Sequence, residues 1–330
     1  MSGSVEREYL EKFRLSGQDV GRFSCPSGII SARNVSVSLP TGMHLWNGRV
    51  FDEALLDPAL LTNPKYIIAL EEIPFRRKRV ISEPVVLLTM PWHHNLYHWV
   101  IEILPRLFLY ELSSDINNLR LVVPKSAPEY VTESLAMAGY LDKVLFLDDG
   151  VYQFEQLHFL SRLSPSRMSS LTSVEWLNEK LAGPKSSKRR RTYVSRSDAK
   201  YRFVSNEAEV ESVLAEFGFE TVVMSEYSLE EKIRIFQESE IVLGSSGAGF
   251  TAVPFMEPGS VFIEFFSKGH FHVCFHTIAG LRGLKYGFLV GKLDGLGFSV
   301  DTAQLRMVLE QVLSDQLESQ VALAANELEN

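Results

Sequence analysis

The chain runs Pro91-Trp-His-His-Asn-Leu-Tyr-His-Trp-Val-Ile-Glu-Ile-Leu-Pro-Arg106 directly after an apolar, strand-like segment that ends at Met90. Helical periodicity continues to about Leu112. Residues three or four apart on a helix share a face, so His94, His98 and Glu102 are expected in one polar row. Leu96, Trp99, Val100 and Ile103 supply much of the buried side. Imidazole and carboxylate at a strand-to-helix mouth are the groups needed to take a proton from a hydroxyl. A carboxylate is already unprotonated at neutral pH, so Glu102 is the first candidate for the base, with His98 orienting it. His98 as the base itself is the second. Beside both stands a structural alternative, a pair that fixes the helix against a loop. His93 and His94 flank the helix start, with at most one facing a cleft, and Pro105 distorts the helix beside Arg106.

A second constellation lies late in the chain. Ile241-Val-Leu243 reads as a strand opening into Gly244-Ser-Ser-Gly-Ala-Gly249 and then a short helix to about Met256. Glycines at 244, 247 and 249 permit positive φ and close backbone approach. Free N–H groups at the start of a helix favour an anion such as phosphate, so Ser246, Gly247, Ala248 and Gly249 are candidate anion ligands. The loop lacks both the full dinucleotide spacing and a P-loop ending, and a tight structural turn explains it as well. Glu264, on the following strand, is placed to accept hydrogen bonds from ribose hydroxyls. Arg196, at the end of Thr192-Tyr-Val-Ser195, is suited to a diphosphate by paired, charge-assisted bonds; its plain alternative is a surface ion pair.

The elements needed to position these residues are legible as alternation. The region from about residue 20 to 90 is strand-rich, with turns at Pro40-Thr-Gly42 and Asn47-Gly48. Strand, helix and strand follow (Val85–Met90, Asn95–Leu112, Leu119–Val123), then a helix at Ala127–Ala138 and a strand at Val144–Leu147. Residues 166–190 are turn-rich with a short helical pattern inside, as expected of a connector between domains 1–165 and 191–330. Beyond it come a strand, a helix over Asn206–Phe217, a strand at Thr221–Met224, and a helix begun by a capping box of Ser228 and Glu231. Val261–Phe265 is a further strand, and an amphipathic pattern from Asp301 to about Leu317 closes the series. Such alternation predicts an α/β fold with parallel sheets covered on both faces, here two Rossmann-like domains facing each other across a cleft.

Composition narrows the function classes. The 330 residues are 45% hydrophobic and 22% charged, which is globular, and long enough for two domains. A net charge of −8 argues against a general nucleic-acid binder. Lys185-Ser-Ser-Lys-Arg-Arg-Arg191 is therefore expected to be a solvated hinge. No apolar run is long enough for a transmembrane helix, and the N-terminus lacks an apolar signal region. Cys25 and Cys274, far apart and without metal-ligand spacing, are expected to be free thiols of a cytoplasmic protein, and the sequon Asn34-Val-Ser36 to be unmodified. His270, His272 and His276 suit a helix-start or acceptor-side role better than zinc, so no metal is expected.

Taken in order, these motifs resemble glycosyltransferase family 61, a group that includes plant xylan-decorating transferases and animal protein O-GlcNAc transferases. The similarity rests on Asn95-Leu-Tyr-His98-Trp-Val-Ile-Glu102-Ile-Leu-Pro-Arg106-Leu, Ser195-Arg196, Arg202, Asn206-Glu207, Gly244-Ser-Ser-Gly-Ala-Gly-Phe-Thr251-Ala252, Pro258-Gly259 and Glu264, spread over roughly residues 30 to 290. Ser246 stands where the family commonly has His, and Ala252 where it commonly has Asn. The resemblance implies the GT-B architecture and inverting, metal-independent transfer from a nucleotide-diphosphate sugar, expected to be a UDP-sugar, to a saccharide acceptor. It also implies that residues 1–165 serve the acceptor and 191–330 the donor, with His94 and Arg106 on the acceptor or diphosphate side. Absence of any Asp-x-Asp pair agrees with metal independence. Two rivals are a non-catalytic nucleotide-sugar sensor, motivated by Ser246 and Ala252, and a Rossmann-type oxidoreductase, disfavoured because no complete dinucleotide fingerprint follows an early strand.

Overall fold

The computed structural model describes residues 27–50, 55 and 58–314. Cys25, the N-terminal segment considered for a signal, and the end of the last amphipathic pattern lie outside the described residues. The fold is α/β, with two sheet-and-helix regions.

The first sheet holds β1 (Ile29–Leu39), β2 (Met43–Leu45), β3 (Lys78–Ile81), β4 (Val85–Leu87), β5 (Arg120–Pro124), β6 (Val144–Leu147) and β7 (Gly150–Leu160). Their order is β2-β1-β7-β4-β5-β6, with β3 paired to the first part of β7 and β4 to its second. β4, β5, β6 and β7 are mutually parallel, whereas β1 runs antiparallel to β7. This sheet is therefore mixed, not wholly parallel. The long strand β7, absent from the sequence-based series, is its central element. Ligands of parallel strands bind at their carboxyl ends; for β4, β5 and β6 these ends lead into residues 88–94, 125–127 and 148–149.

The second sheet holds β8 (Arg190–Ser195), β9 (Glu220–Val223), β10 (Ser239–Ser245), β11 (Val261–Ser267), β12 (Lys285–Asp294) and β13 (Gly297–Ser299). Its order, β9-β8-β10-β11-β12, is parallel throughout, with β13 added antiparallel at the edge. Successive connections leave β8 in opposite directions, to β9 on one side and, after β9, to β10 on the other. The crevice between the carboxyl ends of β8 and β10 is thus a topological switch point, the favoured place for a ligand in such a sheet. Ser195-Arg196 and Ser246–Gly249 emerge there.

Apolar packing continues from one region to the other. One buried cluster joins Trp99, Leu104 and Leu107 of the first region to Val194, Phe250 and Phe275 of the second. The helix Leu171–Leu181, inside the stretch expected to be a connector, buries Trp176, Leu177 and Leu181 in that same cluster. Ser170 caps this helix by accepting from Ser173 N–H. Polar contacts reinforce the junction. The Glu133 carboxylate accepts from the main-chain N–H groups of Leu229 and Glu230, each at 3.0 Å. It therefore meets the positive end of the helix Leu229–Gln237, whose own start carries the capping box of Ser228 and Glu231.

Candidate active site

The helix bearing the first motif is not uniform. Asn95 starts it, its side-chain oxygen accepting from the N–H groups of Tyr97 (3.0 Å) and His98 (3.5 Å). His98–Ile103 then form a π-helical turn, Leu104–Arg106 a 3-10 turn, and Leu107–Leu112 an ordinary α-helix. Pro105 has no N–H to give Ile101 and its ring crowds that carbonyl, so the backbone widens ahead of it. Asn95–Leu112 is thus a composite where one continuous helix was expected. His94 lies in the preceding turn and is exposed, so it does not join a helical row with His98 and Glu102.

His98 and Glu102 do meet. His98 Nδ1 and Glu102 Oε2 are 2.6 Å apart, and the two side chains are only 14% and 6% exposed. The other carboxylate oxygen, Oε1, accepts from the main-chain N–H of Arg167. Pro165 and Met168 close a turn around Arg167, which takes a left-handed φ of 62° and so directs its N–H to the carboxylate. Trp92, also left-handed at φ 69°, stacks its indole on the His98 ring at 4.7 Å and 29°. Both oxygens of Glu102 are thus occupied, and the imidazole is oriented from one edge and one face.

Tyr97 packs on Phe275 at 5.4 Å, and burial together with the nearby Cys274 and Glu102 holds its phenol well above the usual range. Burial, followed by the charge of Glu264, pushes the free Cys274 thiol up to about 12, so it is inert as a nucleophile. Glu264 is fully buried, and its Oε2 accepts from Tyr286 at 2.9 Å. Desolvation raises its carboxyl to about 8 against the opposing influence of Ser246 and Tyr286. Burial thus favours its neutral, protonated form beneath the glycine-rich loop.

The loop's glycines serve close approach more than positive φ. Gly244 alone of the three has one, at 152°, and a Cβ there would overlap the Val194 carbonyl. Gly247 is extended, and a Cβ on it would fall within the Arg196 guanidinium. At Gly249 a Cβ would stand 3.0 Å from Val194 Cγ1 and 3.7 Å from Met224 Cγ. Beyond the loop Ala248–Phe255 is a 3-10 helix, tied to the connector helix where Asn178 Nδ2 donates to the Pro254 carbonyl at 2.8 Å.

At the switch point between β8 and β10, Arg196, Lys232, Ala248, Gly249 and Met224 line a cleft of about 230 Å³, and Leu96 closes it from the first region. The first motif therefore reaches the glycine-rich loop directly. Burial lowers the basicity of both Arg196 and Lys232. Arg196 Nε is buried without a hydrogen-bond partner, and no carboxylate lies within ion-pair distance of Arg196 among the described residues. A guanidinium so placed has donors free to hold an anion. Arg202, left-handed at φ 60°, is fixed by Ser245 Oγ donating to its carbonyl at 2.7 Å. Together with Arg167 it keeps the half-buried His272 less basic than usual, after burial itself.

Other motif residues serve the framework. Arg106 is fully buried, its guanidinium donating to the Leu160 carbonyl and Met90 sulfur, so it anchors the helix to β7 and faces no cleft; burial lowers it to about 9. Asn206 pins the chain beside β13 through Val300, donating to its carbonyl and accepting from its N–H, both at 2.9 Å. Glu207 accepts from Tyr193 and Ser195 hydroxyls at 2.7 Å each. In the basic run Lys185, Lys188, Arg190 and Arg191 pair with Glu257, Glu238, Glu220 and Glu240 respectively. A wider cleft of about 510 Å³ near Lys180, Lys185, Arg234 and Glu238 has mixed charge and lies apart from both motifs. Among the described residues no group of three or more His, Cys, Asp or Glu is placed to hold a metal ion. No helix among them is long and apolar enough to cross a membrane.

Sequence reasoning missed Lys232 and the Arg167 N–H. Lys232 sits in an unremarkable amphipathic helix, and a main-chain donor leaves no side-chain signature.

The family model described as glycosyltransferase 61 matches residues 96–263, from the start of the His98 helix to the third residue of β11. The chain belongs to glycosyltransferase family 61. No curated protein matches it. Family membership supports glycosyl transfer as the general activity and is consistent with a GT-B-like arrangement of the two regions.

Proposed function

We propose that the protein is an inverting glycosyltransferase of GT-B type, moving a sugar from a nucleotide-diphosphate donor, a UDP-sugar, to a hydroxyl of a saccharide acceptor. The observation that carries this reading is the His98–Glu102 pair on a helix whose Leu96 lines the same cleft as Arg196 and Gly249. His98 is the base: Glu102 has both oxygens occupied, and with Nδ1 bound to it the imidazole keeps Nε2 for the acceptor proton. Glu102 fixes the tautomer and stabilises the imidazolium as the proton arrives, the role of the carboxylate in a hydrolase triad.

The sugar's anomeric carbon is attacked from the face opposite the diphosphate, which inverts its configuration. Charge on the leaving group is met by Arg196, Lys232 and the main chain of Gly247-Ala248-Gly249, with Ser246 beside them, in place of a divalent cation. Domain limits of 1–165, 166–190 and 191–330 belong to this proposal, the last domain holding the donor. Glu264 supports the loop from beneath; a direct bond to the ribose requires the carboxyl to become accessible on binding. A cytoplasmic location is also proposed, on the buried free thiol of Cys274, and cell fractionation tests it.

The test is a screen of UDP-sugars and other nucleotide sugars for nucleoside diphosphate release in excess chelator. Release that falls at least tenfold in Arg196→Ala supports the assignment. Binding of a nucleotide sugar without any turnover, with every acceptor class supplied, would establish the non-catalytic sensor instead.

A further inference from the structure

We propose that a second cleft, at the carboxyl edge of the first sheet, is a subsite for one pyranose ring of the acceptor; this rests on the transferase reading above. The cleft measures about 280 Å³ and is lined by Trp92, His94, Lys65, Ser126 and Asp149 among others. These residues follow β4, β5 and β6, where a parallel sheet presents its ligand-binding edge, and Lys65 comes from the helix Pro64–Glu72 alongside.

The wall residues have the chemistry of carbohydrate recognition. A pyranose offers one apolar face of C–H groups and a rim of hydroxyls, so it needs an aromatic surface together with charged or polar hydrogen-bonding groups. Trp92 supplies the aromatic surface, whose negative π face attracts polarised C–H groups. Its backbone is left-handed at φ 69°, and the buried Tyr66 lines the cleft beside it. Backbone strain at a half-buried aromatic residue that lines a cleft is the pattern of a functional position. Asp149 supplies an acceptor, with one oxygen already oriented by Ser126 Oγ at 2.6 Å. Lys65 supplies a donor, its ammonium 5.7 Å from the centre of the Tyr66 ring.

What makes this cleft an acceptor site is its continuity with the base. The indole that lines it is stacked on His98, and His94 lies close enough for its charge to interact with both His98 and Lys65. His98 covers one face of the indole, so a sugar seated on the other face is one indole's thickness from the imidazole and is the neighbour of the ring whose hydroxyl is attacked. The donor cleft, reached through Leu96, approaches from the second region. The two clefts thus border the segment that carries the His98–Glu102 pair, one through Trp92 and the other through Leu96.

The test is saturation-transfer NMR on the full chain with methyl pyranosides of gluco, galacto, manno and xylo configuration, both anomers, and separately with UDP. At least one pyranoside should receive saturation from the protein's aromatic protons. Lys65→Ala and Asp149→Asn, both at exposed positions, should each weaken that transfer threefold or more, while UDP gives the same signal in all three proteins. No transfer to any pyranoside, or transfer in both variants equal to that of the unsubstituted protein, would overturn the subsite. UDP binding with no pyranoside binding removes the subsite alone. Pyranoside binding that depends on Lys65 and Asp149, without UDP binding, leaves the subsite and removes the donor assignment.

Discussion

Replacing Glu102 by Gln changes one oxygen for an NH₂ and tests how the pair divides its labour. In the native arrangement Oε2 faces His98 Nδ1 at 2.6 Å and Oε1 takes the Arg167 N–H. A glutamine has one acceptor oxygen, and the fixed Arg167 N–H demands it. The amide NH₂ then faces Nδ1, which must become an acceptor, so the ring proton moves to Nε2. An imidazole with its proton on Nε2 has no lone pair there to take the acceptor's proton. The expected loss is that of a positioned general base, about 10²–10⁴-fold in kcat, or roughly 3–5 kcal/mol of barrier. Steady-state transfer measured with saturating donor should show this fall with donor KM nearly unchanged.

His98→Asn should fall at least as far. Residues that act as a unit are not additive, so the double variant should be no slower than His98→Asn alone. Glu102→Gln inactive with His98→Asn retaining wild-type turnover would refute the division of roles and return the base to Glu102. Full activity in both variants would make the helix structural and remove the main support for the catalytic reading.

Gly249→Val should abolish UDP binding by calorimetry with the fold retained, because its side chain would press on Val194 and Met224 and push the loop out of place. Gly244→Ala should instead destabilise the protein by about 2–3 kcal/mol or more in urea unfolding, since φ and the Val194 carbonyl both oppose a Cβ. Glu264 is raised to about 8, so between its unfolded range and pH 8 the native state holds a proton that the unfolded chain lacks. Its contribution therefore makes stability fall as pH rises, by at most about 1.4 kcal/mol per pH unit, and Glu264→Gln should flatten that fall in denaturant titrations from pH 5 to 8. His93, lowered to about 4 by burial, acts in the opposite sense: stability is lost as pH falls from the ordinary histidine range, and His93→Gln should lessen that acid loss.

The fold class and much of the site were legible because they rest on local patterns. Apolar runs punctuated by glycine and by capping residues place β8, β10 and the helix begun by Ser228, and the capping box forms as its residues predict. β7 was not legible. Its pairing with β1 joins residues more than a hundred positions apart, and its alternation of apolar Tyr152 and Phe154 with polar Gln153 and Glu155 is broken by a second polar residue, Gln156. The contacts made by the connector were not legible for a related reason. Its serines and prolines signal turns correctly, but which side chain receives a turn's N–H is decided by tertiary packing.

That last point bears on how the site holds together. Glu102 comes from the helix after β4, while Arg167 comes from the loop that precedes the helix packed between both regions. If the connector shifts, the carboxylate loses the N–H that commits its second oxygen, and His98 loses its fixed partner orientation. The same connector helix holds the donor loop through Asn178 and the Pro254 carbonyl. Base geometry and donor-loop geometry are thus fastened to one element, so a change in either can reach the other through it. Asn178→Ala, remote from the His98–Glu102 pair in sequence, removes one of these fastenings. It should raise donor KM and lower kcat together, in a protein whose thermal midpoint moves by only a few degrees. A rise in donor KM with kcat unchanged would show that the connector supports the loop alone, and that the base keeps its geometry without it.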